Sequence, residues 1–277
     1  MRLAAAILVA LALPAAAQEG AARTTAALFA AISDGNRESA LLALRRGADP
    51  GATNADGATP LHVAAALGRD AILTLLLGRK AGLEARDADG STPLHLAAAH
   101  AGGATVGLLL DAGAQIEARN ALGETPLYLA AENARAGTAR VLLDRRADPE
   151  ARTATGETPL HAAALAGAAP LVVLLADRGA VIDAANRAGE APLFWAAATG
   201  ELEAARVLIE RGAAVDARDR NGNTALHGAA DGGHLEVVAF LLAAKSNGAL
   251  KNAAGLTPAD LARARGHAEV VAVLERR

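Results

Sequence analysis

The chain has 277 residues, with 27 Lys and Arg against 30 Asp and Glu and a formal net charge of -3. It is 52% hydrophobic but 2% aromatic, so most of its apolar content is alanine and leucine. That balance excludes a disordered chain, and the absence of cysteine excludes thiol chemistry, disulfides, Cys-based zinc sites and Cys-linked lipid. A slightly acidic, aromatic-poor chain also lacks the basic field and stacking surfaces that nucleic acid requires.

Residues Met1 to Ala17 read MRLAAAILVALALPAAA. Arg2 supplies a positive start, Leu3 to Leu13 form an uncharged apolar run, Pro14 breaks it, and Ala15-Ala16-Ala17 offer a small-residue cleavage site. This is the pattern of a secretory signal peptide, and the run is too short to span a bilayer. The expectation is cleavage near Ala17, a short segment over 18–24, and a periplasmic or secreted protein with no membrane insertion after signal removal. Loss of Arg2 makes the mature chain one charge more acidic.

The remainder is one unit repeated. Thr59-Pro60-Leu61-His62 recurs as Thr92-Pro93-Leu94-His95, Thr125-Pro126-Leu127-Tyr128 and Thr158-Pro159-Leu160-His161, then as Ala191-Pro192-Leu193-Phe194, Thr224-Ala225-Leu226-His227 and Thr257-Pro258-Ala259-Asp260. Every step is 33 residues, and one step back lies Ala26-Ala27-Leu28-Phe29. Glycines at 57, 90, 123, 156, 189, 222 and 255 keep the same step. Within one unit, Thr92 caps a helix and Pro93 suits its first position. Leu94, Ala97 and Ala98 share a face, and the Gly102-Gly103 pair ends the helix. A second helix carries Val106, Leu109 and Leu110, with Gly113 left-handed just past it. Gln115 to Arg119 is short and extended, and Asn120 to Gly123 is a turn.

The chain resembles the ankyrin repeat family, on its period, its Thr-Pro-Leu-His core and its glycine and leucine columns. The resemblance covers residues from about 24 to the end. It implies an all-α solenoid of about eight helix-turn-helix units with β-hairpin-like finger loops over 25–277. Capping units are expected at about 25–57 and 256–277, where the tetrapeptide degenerates and polar residues accumulate. In each cap one face of the stack has no neighbour to bury it.

The same resemblance makes Thr59, Pro60, His62, Thr92, Pro93, His95, Thr125, Pro126, Thr158, Pro159, His161, Thr224 and His227 structural, each His tying the Thr cap to adjacent backbone. Stacked helices lie on the order of 10 Å apart, too far for neighbouring imidazoles to share a metal. No catalytic set, phosphate loop, metal site or cofactor motif is visible. Two charged columns, Glu84, Glu117, Glu150, Asp183, Asp216 and Arg86, Arg119, Arg152, Arg218, Lys251, suggest an ion ladder along the fingers: either solvated surface or a strip that steers a partner. In three units Lys80, Arg146 and Lys245 replace the helix-end glycine, at a cost of roughly 1 kcal/mol each.

The resemblance further implies a non-catalytic protein-binding role through the concave face, made by fingertips and the exposed side of the first helices. The protein-binding candidates are Trp195, Arg187, Glu190, Glu157, Glu124, Leu122, His100 and Arg220. Glu124, Glu157 and Glu190 share one position in consecutive units, an acidic patch or simply a good match to helix N-termini. Trp195 is the one tryptophan, either an anchor for a protein partner or filler in the most divergent unit. The chain is expected to be a monomeric scaffold for an exported or envelope protein; an inhibitor or immunity protein and a secreted effector use the same surface.

Overall fold

The computed structural model describes residues 15–276. Residues 1–14 of the leader read over 1–17 therefore lie outside the described residues. Sixteen helices and no strand occur among those described. They pair as eight units: α1 (Ala15–Ser33) with α2 (Arg37–Arg45), α3 (Pro60–Ala66) with α4 (Asp70–Leu77), α5 (Pro93–His100) with α6 (Gly103–Asp111), and α7 (Pro126–Glu132) with α8 (Ala136–Asp144). Then come α9 (Pro159–Leu165) with α10 (Ala169–Asp177), α11 (Pro192–Thr199) with α12 (Leu202–Glu210), α13 (Ala225–Asp231) with α14 (Leu235–Ala243), and α15 (Pro258–Arg265) with α16 (Ala268–Glu275). The all-α repeat solenoid expected from the sequence is the fold observed.

Each first helix packs on the first helix of the next unit, and each second helix on the next second helix. The contact surface is set by size. An alanine pair in every first helix from the second unit to the seventh is fully buried: Ala64-Ala65, Ala97-Ala98, Ala130-Ala131, Ala163-Ala164, Ala196-Ala197 and Ala229-Ala230, all at 0% exposure. Only Ala lets two backbones approach this closely and still form helix without side-chain entropy loss. Leucines at 61, 94, 109, 127, 142, 160 and 171 fill the layer between the two rows of helices. No unit closes its own core, so burial runs continuously along the stack.

The first helix is the longest of those described. α1 is a helix of 19 residues, against 7 or 8 in the other first helices, and it includes residues 18–24 and the expected cleavage point in its first turn. At the far end Asp260 replaces the usual His yet still closes the cap. Its Oδ2 accepts the Thr257 N–H at 2.9 Å and the Thr257 hydroxyl at 2.7 Å.

Two local readings change. The Gly102-Gly103 pair does not end α5, which stops at His100 with Ala101 extended; Gly102 instead caps α6 and Gly103 opens it. Gly103 is small for a steric reason, since a Cβ there would lie 2.8 Å from Val141 Cγ2. The fingers are turns without strand pairing. Asn120 Oδ1 accepts the N–H groups of Leu122 and Glu124 at 3.0 and 2.9 Å, and Asn120 N–H donates to the Glu124 carbonyl at 3.1 Å. Adjacent tips share one backbone bond per step, such as Ala121 N–H to the Asp89 carbonyl at 2.9 Å and Ala154 N–H to the Leu122 carbonyl at 2.9 Å. This explains the glycine column: Gly123 has φ +76, and a Cβ on it would sit 2.8 Å from Ala154 N.

Candidate protein-binding groove

The Thr-Pro-Leu-His core is saturated internally. His62 Nδ1 accepts from the Thr59 N–H at 3.1 Å and lies 2.8 Å from the Thr59 hydroxyl. Its Nε2 lies 3.0 Å from the Ser91 carbonyl of the next unit. A carbonyl only accepts, so the proton is on Nε2 and the ring is the neutral tautomer with Nδ1 as acceptor. His95, His161 and His227 repeat the arrangement toward the carbonyls of Glu124, Glu190 and Leu256 at 3.0, 3.0 and 3.2 Å. Burial is the largest influence on all four and holds their pKa values below 6.5. These rings bind one unit to the next.

The two charged finger columns do not pair with each other. Each carboxylate accepts a backbone N–H from the following unit: Glu84 from Gln115 at 2.8 Å, Glu117 from Asp148 at 2.8 Å, Glu150 from Val181 at 2.9 Å. Asp183 and Asp216 do the same for Ala214 and Asn247. Each arginine donates to two carbonyls: Arg152 to Gly156 at 3.0 Å and to Ala185 at 2.7 Å, with Arg86, Arg119 and Arg218 alike. The expected ion ladder is therefore replaced by side-chain-to-backbone straps. A true ion ladder lies elsewhere, at the ends of the second helices, where Arg145, Arg178 and Arg211 reach Asp111, Asp144 and Asp177 at 2.8, 2.9 and 2.6 Å. Its signal, an Asp column and an Arg column 34 residues apart, is present in the sequence and was missed.

The binding candidates separate into three sets. The first is a chain of bonds. Thr153 and Thr155 donate to Glu157, Asn186 Nδ2 donates to Glu190 Oε2 at 2.8 Å, and Trp195 Nε1 donates to the same oxygen at 2.9 Å. Burial pushes the Glu157 carboxyl up, but these hydroxyl bonds and its own N–H outweigh it and leave its pKa lowered. Half-buried Trp195 also stands edge-on to His161, centroids 5.5 Å apart at 77°. Glu157 and Glu190 thus serve their own turns and the indole. The second set, Arg187 and Arg220, lies exposed on the tips, each giving its backbone N–H to the preceding tip at 2.9 Å.

The third set converges on a cavity. His100, Leu122 and Glu124 line a groove of about 460 Å³ on units three and four, together with Asp89, Leu96, Leu129 and Glu132. Leu122 is 64% exposed, the largest value among the exposed large hydrophobics of the described residues. Burial, and then the Glu124 charge, raise the pKa of Glu132. Glu132 escaped the sequence reading; its position holds Ala66, Ala99, Leu165, Ala198 and Ala264 in five other units, and a second acid, Asp231, in unit seven. A second concave cavity of about 360 Å³ lies over units six to eight against Phe194, His227, Gly228 and Leu261.

Among the described residues no group of three or more His, Asp or Glu side chains is placed to hold a metal ion. No helix among them is long and apolar enough to cross a membrane. Stacked helix pairs, turn-built fingers and a groove between them define a helical repeat solenoid that offers a surface rather than a closed pocket. The family model described as "Ankyrin repeats (3 copies)" matches residues 28–120, 80–153, 99–186, 138–219 and 193–275, and the chain belongs to that family. No curated protein matches it. Ankyrin repeats generally mediate protein–protein interaction and are typically non-catalytic.

Proposed function

We propose that the chain is a non-catalytic scaffold that holds an exported or envelope protein on its concave face. The observation that carries this reading is the groove over units three and four. There His100, Leu122 and Glu124 come together from one first helix and one fingertip, with Leu122 64% exposed. The repeat-forming Thr and His groups, by contrast, are consumed by internal bonds. A rigid stack presents such a surface at little ordering cost on association. The exported location rests on the pattern of Met1 to Ala17.

Fractionation of expressing cells tests location: the mature protein should begin near Gln18 and appear in periplasm or medium, whereas an intact Met1 form in the cytoplasm overturns it. Affinity capture from an envelope extract tests function, with wild type, Leu122→Asp and Trp195→Ala as parallel baits. At least one protein should be retained by wild type and lost from one of the variants. Identical retention by all three removes the concave face from the reading.

A further inference from the structure

The groove over units three and four has a chemical polarity of its own. Its acidic members come from three different elements: Asp89 from one fingertip, Glu124 from the next, and Glu132 from the last residue of α7. Glu124 is held by Asn120 Nδ2 at 2.6 Å, while the Glu132 side chain makes no ion pair or hydrogen bond among the described residues. No Lys or Arg lines the groove. Arg135, just beyond α7, donates its Nε–H to the Ala99 carbonyl at 3.2 Å and is not among the lining residues. Apolar surface lies between the acids. Leu96 and Leu129 occupy the groove-facing position of successive first helices, and Leu122 projects from the tip between Asn120 and Glu124.

An exposed leucine at a tip is unfavourable alone, because it leaves apolar area in water at roughly 25 cal/mol per Å². Acids gathered around a partly dehydrated site repel one another, and the raised pKa of Glu132 reflects both its burial and the Glu124 charge. A partner carrying a cation and an apolar side chain relieves both costs at once. We infer that this groove receives an extended protein segment bearing Lys or Arg next to a bulky aliphatic or aromatic residue, the cation between Glu124 and Glu132 and the apolar group against Leu96, Leu122 and Leu129. The inference rests on the scaffold reading above and names the chemistry of its partner.

The test is a random dodecapeptide library displayed on phage and panned on the full chain. Counter-selection uses Glu132→Lys and Leu122→Ser, both at exposed positions that make no side-chain hydrogen bond, with melting curves confirming their fold. Enriched peptides should carry a basic residue beside an apolar one. Synthetic copies should bind Glu132→Lys roughly tenfold more weakly and lose affinity with added salt. Leu122→Ser should weaken them by about fivefold without changing the salt dependence. Enrichment of acidic or uncharged peptides, equal binding to both variants, or no enrichment over them overturns the inference. These outcomes are separate from the capture experiment: an envelope protein lost from the Leu122→Asp bait but lacking such a segment sinks the chemistry alone. Basic–apolar peptides without any captured envelope protein sink the cellular role alone.

Discussion

Between units three and four, His95 reaches the Glu124 carbonyl, Arg86 the Arg119 carbonyl and Arg135 the Ala99 carbonyl, and Arg145 pairs with Asp111. Between units six and seven the equivalent positions hold Phe194, Ala185, His234 and Ala244, so only His234 keeps its tie, to the Ala198 carbonyl at 3.0 Å. What replaces the rest is proximity. Unit seven has Gly228 where other units carry Val63, Leu96, Leu129, Ala162, Trp195 or Leu261, and a Cβ on Gly228 would lie 3.3 Å from Phe194 Cε2 and 3.2 Å from Ala198 Cβ. On the second helices Arg206 stacks over Phe240 at 4.9 Å. The same junction is thus made once by directional bonds to backbone and once by an aromatic fitted over a glycine.

The exchange is tolerated because no carbonyl is orphaned by it. The Asn223 carbonyl, which a histidine at 194 would reach, already accepts the Asp219 N–H of its own finger turn at 2.9 Å. The Glu124 carbonyl likewise accepts the Asn120 N–H at 3.1 Å. The histidine bond engages a second lone pair. Its loss forfeits a favourable contact without leaving a buried acceptor bare.

Acid should separate the two kinds of junction most strongly. The four neutral histidines have folded pKa values below 6.5, so the unfolded chain takes up protons first as pH falls. Their stabilisation is complete above that value and is lost below it. Each can contribute at most about 1.4 kcal/mol per pH unit, and the four act in the same direction. Hydrogen exchange between pH 7 and 5 should show finger amides beside His95 and His161 losing protection before those beside Phe194. A melting temperature flat over that range would exclude the neutral tautomer assignment.

Transplanting one solution into the other junction is the next largest effect. His95→Phe copies unit six into unit three, but the neighbouring unit has Leu129 where Gly228 makes room. The loss of the Thr92 and Glu124 bonds combines with overpacking, and about 3 kcal/mol of destabilisation is expected in denaturant titrations. The reverse experiment is Gly228→Leu, which drives a side chain into Phe194 and Ala198 and should cost about 2 kcal/mol. In a Phe194→His background that cost should shrink, which a double-mutant cycle reads directly. Additive effects would mean that the aromatic and the glycine are not a fitted pair.

The period, the caps and the alanine–leucine core were legible because they depend on residue size and on one-dimensional spacing. The register of seven of the eight units follows from Leu28, Leu61, Leu94, Leu127 and their successors alone, and Thr257-Pro258 places the eighth. The role of the finger charges was not legible. Glu84 and Arg86 are two residues apart, and side-chain charge suggests that they attract each other, whereas the structure gives each to the backbone of the following unit, 31 and 33 residues on. Backbone donors and acceptors leave no mark in a sequence, so a strap to a carbonyl looks like a surface ion. The groove was half legible: Leu122, Glu124 and His100 were singled out, but their meeting with Glu132 depends on how far one helix end leans toward the next tip.

The smallest effect concerns the turn between the paired helices. Gly68, Gly167, Gly200, Gly233 and Gly266 take left-handed conformations there, while unit four has Ala134 at φ +53. Lys80, Arg146 and Lys245 show the same departure one turn later, at the second-helix ends, as their sequence positions imply. An alanine Cβ crowds the following carbonyl in that region, at a cost of roughly 1–2 kcal/mol, against which glycine gives back about 0.5–1 kcal/mol through unfolded-state entropy. Ala134→Gly should therefore stabilise the chain by about 0.5 kcal/mol. Because Ala134 is exposed and adjoins the groove at Asn133, peptide affinity should stay unchanged while the melting temperature rises. A lower melting temperature would mean that the methyl makes a contact outweighing its strain, and the four non-glycine positions would then need separate explanations.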